Sequence, residues 1–342
     1  MYEWLTQRWY EAAARPQLLR PLSGLYGALL GLRRRAYASG WLRSIRAARP
    51  VIVVGNLTVG GTGKTPLTLW LAQRLGGGAL KVGLLSRGYG RRGAGPLQVH
   101  ADSDWREVGD EPLLLARRSG CPTVVARDRV SGAQLLTELG AQLILCDDGL
   151  QHLRLARDCE IVVIDGARGF GNGALLPAGP LREPLERLSH VDALVVNGEG
   201  VHDSLAQLPP TARFTMELKA REAVPVKPGT PARELVQWRG QTVHAVAGIG
   251  NPARFFAQLR SFGLTVREHP FPDHHPFSAG ELEFGDQLPV LMTEKDAVKC
   301  AGFANPRLWY VPVVAHFSDA HGRELLAGLL TKAGVTLPGG RI

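Results

Sequence analysis

The sequence predicts an α/β fold: a mostly parallel sheet with helices on both faces, followed by a smaller C-terminal α/β domain. Three observations predict it. From residue 51 onward, short apolar β-branched runs alternate with helical stretches. The first of these runs ends in a glycine-rich turn that opens a helix. A tract rich in proline, glycine and charge, residues 206–240, separates this series from a second, shorter one. Strands that are apolar throughout, rather than alternating, are buried on both faces, and that is the condition of a parallel sheet.

Residues 1–49 precede the series. Leu18, Leu19, Leu22, Leu25, Tyr26, Leu29, Leu30 and Leu32 recur at spacings of three and four, so a helix here has one apolar face. Arg33-Arg34-Arg35 follows at once, then Tyr37, Trp41 and Leu42. Two readings fit: an amphipathic helix lying in the interface of an anionic bilayer, or a surface helix packed on the main domain. The P-loop NTPase-like domain spans 50–205, with strands at 51–54, 81–85, 123–125, 143–146, 161–164 and 193–196 and helices at 65–75, 111–118 and 130–139. Residues 206–240 read as a linker. Residues 241–342 read as the smaller domain, with strands at 242–247, 264–266, 290–292 and 308–311 and helices at 252–262 and 319–332. Its last helix is free to pack back on the first domain.

The whole chain has 342 residues and a formal net charge of +9, and the charge is uneven. Between residues 12 and 50 there are arginines at 15, 20, 33, 34, 35, 43, 46 and 49 and no acidic residue. Concentrated positive charge of this kind points to an anionic surface. A nucleic-acid groove would interleave basic and aromatic residues along the chain, so no nucleic-acid partner is expected. Cys121, Cys146, Cys159 and Cys300 form no CxxC pair and read as reduced, mostly buried thiols. With Glu3 and Glu11 close behind Met1 and no long apolar run, a cytoplasmic location is expected.

The chemistry begins at Val59-Gly60-Gly61-Thr62-Gly63-Lys64-Thr65, between strand 51–54 and the next helix. Glycines let backbone N–H groups point at phosphate oxygens, and the helix N-terminus adds partial positive charge. Lys64 is placed to reach the β- and γ-phosphates and Thr65 to offer its hydroxyl to Mg²⁺. The strict GxxxxGK[ST] pattern fails at Thr58, and the match is to GGxGK[ST]. Thr58 through Thr65 are the expected nucleotide-binding residues. Asp147-Asp148 end strand 143–146, where a carboxylate can hold Mg²⁺ directly or through water. Asp110 and Glu111 precede a helix, as caps or as chemistry. Asp273-His274-His275 offers a histidine poised against a carboxylate, and Thr293-Glu294-Lys295-Asp296 puts charge at another strand's end.

With Leu85-Ser86-Arg87-Gly88-Tyr89-Gly90, Asp147-Asp148-Gly149-Leu150-Gln151-His152, Leu176 to Glu183 and Gly248-Ile249-Gly250-Asn251-Pro252 added, the chain resembles the tetraacyldisaccharide 4′-kinase (lipid A 4′-kinase) family almost end to end. That family shares the variant at Thr58. The resemblance implies transfer of the ATP γ-phosphoryl group, with Mg²⁺, to the 4′-hydroxyl of a tetraacyl glucosamine disaccharide 1-phosphate. It implies a peripheral enzyme at the cytoplasmic face of the bacterial inner membrane, with two domains closing over the nucleotide. By motif position, Asp110 would act on the attacking hydroxyl and His274 would pair with Asp110. Asp147 or Asp148, with Glu183, would belong to the Mg²⁺ environment. A lipid substrate favours the membrane reading of residues 1–49. The competing class is a membrane-associated regulatory P-loop ATPase of the partitioning or metallochaperone type. Such proteins carry lysine where this chain has Val59.

Overall fold

The computed structural model describes residues 8–10, 17–77, 80–91, 93–198, 202–206 and 208–336. Among them the chain runs α1 (Arg20–Ala38), β1 (Val51–Gly55), α2 (Lys64–Gly76), β2 (Val82–Ser86), β3 (Leu97–Val99), α3 (Trp105–Val108), α4 (Asp110–Ser119), β4 (Thr123–Val125), α5 (Arg129–Glu138), β5 (Leu143–Asp147), β6 (Cys159–Asp165), β7 (Ala193–Asn197) and β8 (Ala212–Ala220). It continues through β9 (Glu222–Pro225), β10 (Arg233–Glu234), β11 (Thr242–Ala247), α6 (Pro252–Ser261), β12 (Thr265–Pro270), β13 (Val290–Thr293), α7 (Glu294–Cys300), β14 (Leu308–Val311), β15 (Val313–His316) and α8 (Asp319–Ala333).

The larger sheet has the order β15-β8-β7-β6-β1-β5-β2-β4-β3. From β8 to β4 all neighbours are parallel, and β15 and β3 close the edges antiparallel. Side chains alternate across β1, so the two faces build separate cores. Ile52 and Val54 pack with Leu67 and Leu71 of α2 and Leu325 and Leu329 of α8. Val51 and Val53 pack on the other face with Leu136 of α5 and Leu188. The β1–β5 register sets Val54 beside Asp147. Two strands thus deliver a glycine turn and a carboxylate to the same end of the sheet.

The smaller sheet has the order β10-β9-β14-β13-β11-β12, parallel from β14 to β12. Trp238, Phe255, Phe256 and Leu259 fill its core against Val243 and Leu291.

The stretch 206–240, expected as a linker, contains β8, β9 and β10. β8 joins the larger sheet, and β9 and β10 join the smaller one. Phe214 and Met216 of β8 lie in the same core as α2, which is why that segment is a strand and not a tether. β15 and α8 also belong to the larger sheet and its core, so the chain crosses between the two sheets more than once.

Helix α1 lies on the surface. Ser23 and Ala36 are its buried residues, whereas Leu22, Leu25, Leu29 and Leu32 are all more than half exposed. Hydrogen bonds tie it down: Ser23 Oγ donates to Leu175 O and accepts the Ala178 N–H, Tyr26 Oη donates to Arg182 O, and Arg33 Nη2 to Gln151 O. Among the described residues, no helix is long and apolar enough to cross a membrane.

Candidate active site

The phosphate loop is braced from behind. Asn56, fully buried, donates to Thr58 O at 2.7 Å. Thr58 bridges Leu181, and the Val59 N–H donates to Pro180 O at 2.9 Å. Thr58 and Val59 therefore form the anchored stem of the loop. Beyond them Gly60 and Gly63 take φ of 101° and 102°, the left-handed region that suits glycine. Thr62 O accepts from Asn197 Nδ2 at 2.8 Å, and Thr62 Oγ1 is buried without a partner. Lys64 opens α2 with Nζ 3.6 Å from Asp148 Oδ1.

Asp147 and Asp148, adjacent in sequence, have opposite environments. Asp147 is buried, with Thr65 Oγ1 3.4 Å and Thr68 Oγ1 3.2 Å from its oxygens. Burial, followed by the charge of Glu111, pushes its carboxyl up to about 7. Asp148 turns the chain at φ 49° and faces Lys64 and Arg182 Nη1, the latter at 3.1 Å. Burial pushes its carboxyl up, but Lys64 and Arg182 outweigh that and hold it well below the usual range. Glu183 is also buried, with Oε2 unpartnered and its carboxyl raised by burial. Its chief electrostatic neighbours are Arg187, Arg34 and Arg33 rather than the aspartate pair.

Asp110 begins α4 and is 4% exposed. Gly109 before it has φ 96°, and a Cβ there would stand 3.2 Å from Gly88 Cα, so the turn packs directly on the Ser86–Gly90 segment. Asp110 Oδ1 accepts the Glu111 N–H at 2.8 Å. Both its oxygens lie 3.0 Å from His274 Nδ1, which reaches across from the smaller domain. An ionised carboxylate only accepts, so Nδ1 carries a proton, and the Lys295 ammonium, a donor 3.3 Å from Nε2, matches a lone pair there. His274 itself has φ 63°, strained backbone for a residue with a side chain. Burial lowers its pKa, but the Asp110 bond overrides this and the net direction is upward. Burial likewise opposes ionisation of Asp110, yet His274 and Lys295 bring it down to about 2. His275 points elsewhere and meets Glu281 at 2.9 Å.

The two sheets meet at this point. Arg118 of α4 binds Glu294 of α7, and Lys295 binds Glu111. Gly250 rests on the phosphate loop so closely that a Cβ would fall 2.5 Å from Gly61 N. Arg168 Nη1 donates to Gly250 O at 3.2 Å. Arg254 of α6 donates to Asn197 Oδ1 at 2.8 Å, beside a cavity of about 310 Å³. A phosphate loop, an aspartate pair and an Asp–His pair therefore face one cleft.

The family described as tetraacyldisaccharide-1-P 4′-kinase matches residues 15–331. The chain belongs to that family. Curated tetraacyldisaccharide 4′-kinases resemble it along nearly their whole lengths. The protein from Alkalilimnicola ehrlichii is 53% identical over 92% of this chain and 93% of its own, and that from Pseudomonas aeruginosa is 49% identical over 93% and 94%. A crystal structure of LpxK from Aquifex aeolicus in complex with ATP superposes with a TM-score of 0.77 at 30% identity. It covers 92% of this chain and 98% of that one. Membership in a lipid kinase family displaces the regulatory ATPase reading. Several groups at the cleft were not singled out from sequence: Lys299, Asn197, Arg168, Arg182 as a partner of Asp148, and Arg254. The Thr293-Glu294-Lys295-Asp296 run was visible, but nothing in its spacing told cleft charges from solvated ones.

Proposed function

We propose that this chain transfers the γ-phosphoryl group of ATP to the 4′-hydroxyl of a tetraacyl glucosamine disaccharide 1-phosphate, a step of lipid A biosynthesis, at a membrane surface. The observation that carries the reaction is the Asp110–His274 pair, held across the cleft from the Lys64 loop.

The physical chemistry favours His274 over Asp110 as the proton acceptor. Asp110 is buried, already accepts two hydrogen bonds and ionises near 2, so it is a weak base. His274 keeps Nδ1–H on Asp110 and turns Nε2 toward the cleft. The 4′-hydroxyl gives its proton to Nε2 as its oxygen attacks the γ-phosphorus, the bond to the β-phosphate oxygen breaks, and ADP leaves. Asp110 stabilises the imidazolium that forms. Lys64 neutralises charge on the transferring group. Loop N–H groups from Gly60 to Lys64 hold the phosphates, while Thr58 and Val59 keep the loop's shape.

Thr65 and Asp147 fit Mg²⁺: a hydroxyl and a carboxylate lie 3.4 Å apart, and burial leaves the carboxylate short of positive charge. Mg²⁺ usually keeps few protein ligands and fills its other positions with water and phosphate oxygens. When bound it would neutralise charge on the β- and γ-phosphates. Asp148 already pairs with Lys64 and Arg182, so its role is to orient the lysine. Glu183 is buried with Arg187, Arg34 and Arg33 as its chief charged neighbours.

Membrane docking is supported by the exposed leucines of α1, with Trp41 and the adjoining arginines. Basic residues near an anionic leaflet contribute roughly 1 kcal/mol each. The enzyme would thus work peripherally at the cytoplasmic face of the inner membrane. One assay tests the whole reading: purified protein, ATP, Mg²⁺ and the tetraacyl disaccharide 1-phosphate in detergent micelles. Formation of a bisphosphorylated lipid is expected, and ATP hydrolysis without it would reject the proposal.

A further inference from the structure

Helix α7 carries charge that the phosphoryl chemistry above leaves unused. Lys295 Nζ lies 2.9 Å from Glu111 Oε1 on α4, 2.9 Å from Asp273 Oδ1 and 3.3 Å from His274 Nε2. An ammonium has three N–H donors and no acceptor, so it matches two carboxylates and one imidazole lone pair. The side chain is only 14% exposed, which pins the group between the two sheets. Next to it Lys299 is fully buried, 2.8 Å from Asp296 and 3.8 Å from Asp110. Asp296 in turn accepts from Gly248 N and Thr293 Oγ1, so the start of α7 is a fixed platform beneath the ring.

We propose that Lys295 is a positioning residue for the proton-accepting imidazole: it fixes His274 across the domain cleft and keeps Nε2 unprotonated until the acceptor hydroxyl displaces it. The inference rests on the reading of His274 as the base.

The groups facing the ring give the reason. From α4 come Asp110 and Glu111, and from its own loop comes Asp273, 3.8 Å from Nε2. All three favour the charged imidazolium. The Tyr89 ring packs against it with centroids 4.8 Å apart. From α7, Lys295 and Lys299 oppose the carboxylates, and Lys295 is the one that reaches the ring. Without it, three carboxylates would hold the imidazole protonated at the pH where it must accept a proton. The same carboxylates keep the ammonium itself charged, well above the usual lysine range, although burial works against it. When the sugar hydroxyl takes over Nε2, Lys295 retains Glu111 and Asp273, so the cleft stays closed during the exchange.

The test is the pH profile of kcat for the full-length enzyme in micelles, with ATP affinity measured alongside, for wild type, Lys295→Met, Lys295→Arg and His274→Gln. In Lys295→Met the acidic limb should move to higher pH. Its kcat at neutral pH should fall about tenfold and recover as the pH rises, with ATP affinity unchanged. Lys295→Arg should restore a near wild-type limb. Should the methionine variant not fold, Lys295→Gln, which can still donate to Glu111 and Asp273, should give the same shift. An acidic limb that stays in place in the neutral variants, whatever the drop in kcat, overturns the role given to Lys295. A limb that persists in His274→Gln overturns the base assignment itself. If the limb is lost in His274→Gln yet fixed in Lys295→Met, only the lysine proposal fails.

Discussion

Single side chains at the cleft differ in function because their surroundings differ. Asp147 and Asp148 are neighbours on one strand end, yet burial and Glu111 outweigh Lys64 at the first, whereas Lys64 and Arg182 together outweigh burial at the second. Asp147→Asn should therefore raise the Mg²⁺ concentration needed for half-maximal activity by about tenfold or more, as a lost carboxylate ligand would. Asp148→Asn should lower kcat with little change in Mg²⁺ requirement; a reversed pattern in Mg²⁺ titrations would exchange the two roles. Lys64→Met should cut kcat by roughly 10²-fold, the usual scale for one charged contact to the developing transition state. For Asp110→Asn the sign follows from the pair. Asp110 raises the His274 pKa, so removing its charge lets burial and Lys295 depress it. The acidic limb of kcat should move to lower pH while the plateau falls about 10²-fold. A limb that moves upward would contradict the pairing.

At the scale of elements, α1 and the α4–α7 contact make separate demands. The leucine spacing of α1 announced an amphipathic helix, but not that it is bonded to the segment carrying Arg182. Deleting it would disturb the site as well as docking, so point changes are the cleaner probe. Leu22, Leu25 and Leu29 changed together to Ser should weaken sedimentation with anionic vesicles several-fold, since each removes exposed apolar surface. ATP affinity should be unchanged; full vesicle binding would leave α1 with only a packing role. Between α4 and α7, Arg118 and Glu294 are both mostly buried and bonded at 2.7 and 2.9 Å. A double-mutant cycle in thermal unfolding should return a coupling of about 1 kcal/mol. Zero coupling would mean that the pair's attraction only offsets its desolvation and adds nothing to stability.

For the whole molecule, the decisive contact is between the two sheets at the phosphate loop. Gly250 needs no unusual φ, yet a Cβ there would meet Gly61 N at 2.5 Å and Gly60 Cα at 2.7 Å, backbone atoms that cannot turn aside. Gly250→Ala should leave the thermal midpoint near wild type, because none of the hydrophobic cores includes this position. It should cut kcat by about 10²-fold by holding the cleft open. A normal kcat would show that catalysis does not require the loops this close.

The sequence by itself determined the parallel α/β layout and the place of the glycine-rich loop, because each is written in contiguous residues. Buried runs such as 51–54 and 143–146 can only be central strands, and Gly60 to Thr65 can be read where they stand. It did not reveal that β8 belongs to the larger sheet, although Phe214, Met216 and Leu218 alternate as a strand should; the prolines around them hid the pattern. Nor could it decide which of His274 and His275 meets Asp110, since neighbours on an extended chain point apart and only the partner surface chooses. Glu183 shows the same limit: its motif position suggested metal, and only the fold shows it buried with Arg187, Arg34 and Arg33 as its chief charged neighbours. What the tertiary structure alone decided is the charge balance at the cleft. Asp110, Glu111, His274 and Lys295 come from segments more than 150 residues apart, and their protonation depends on distances that exist only when the two sheets meet.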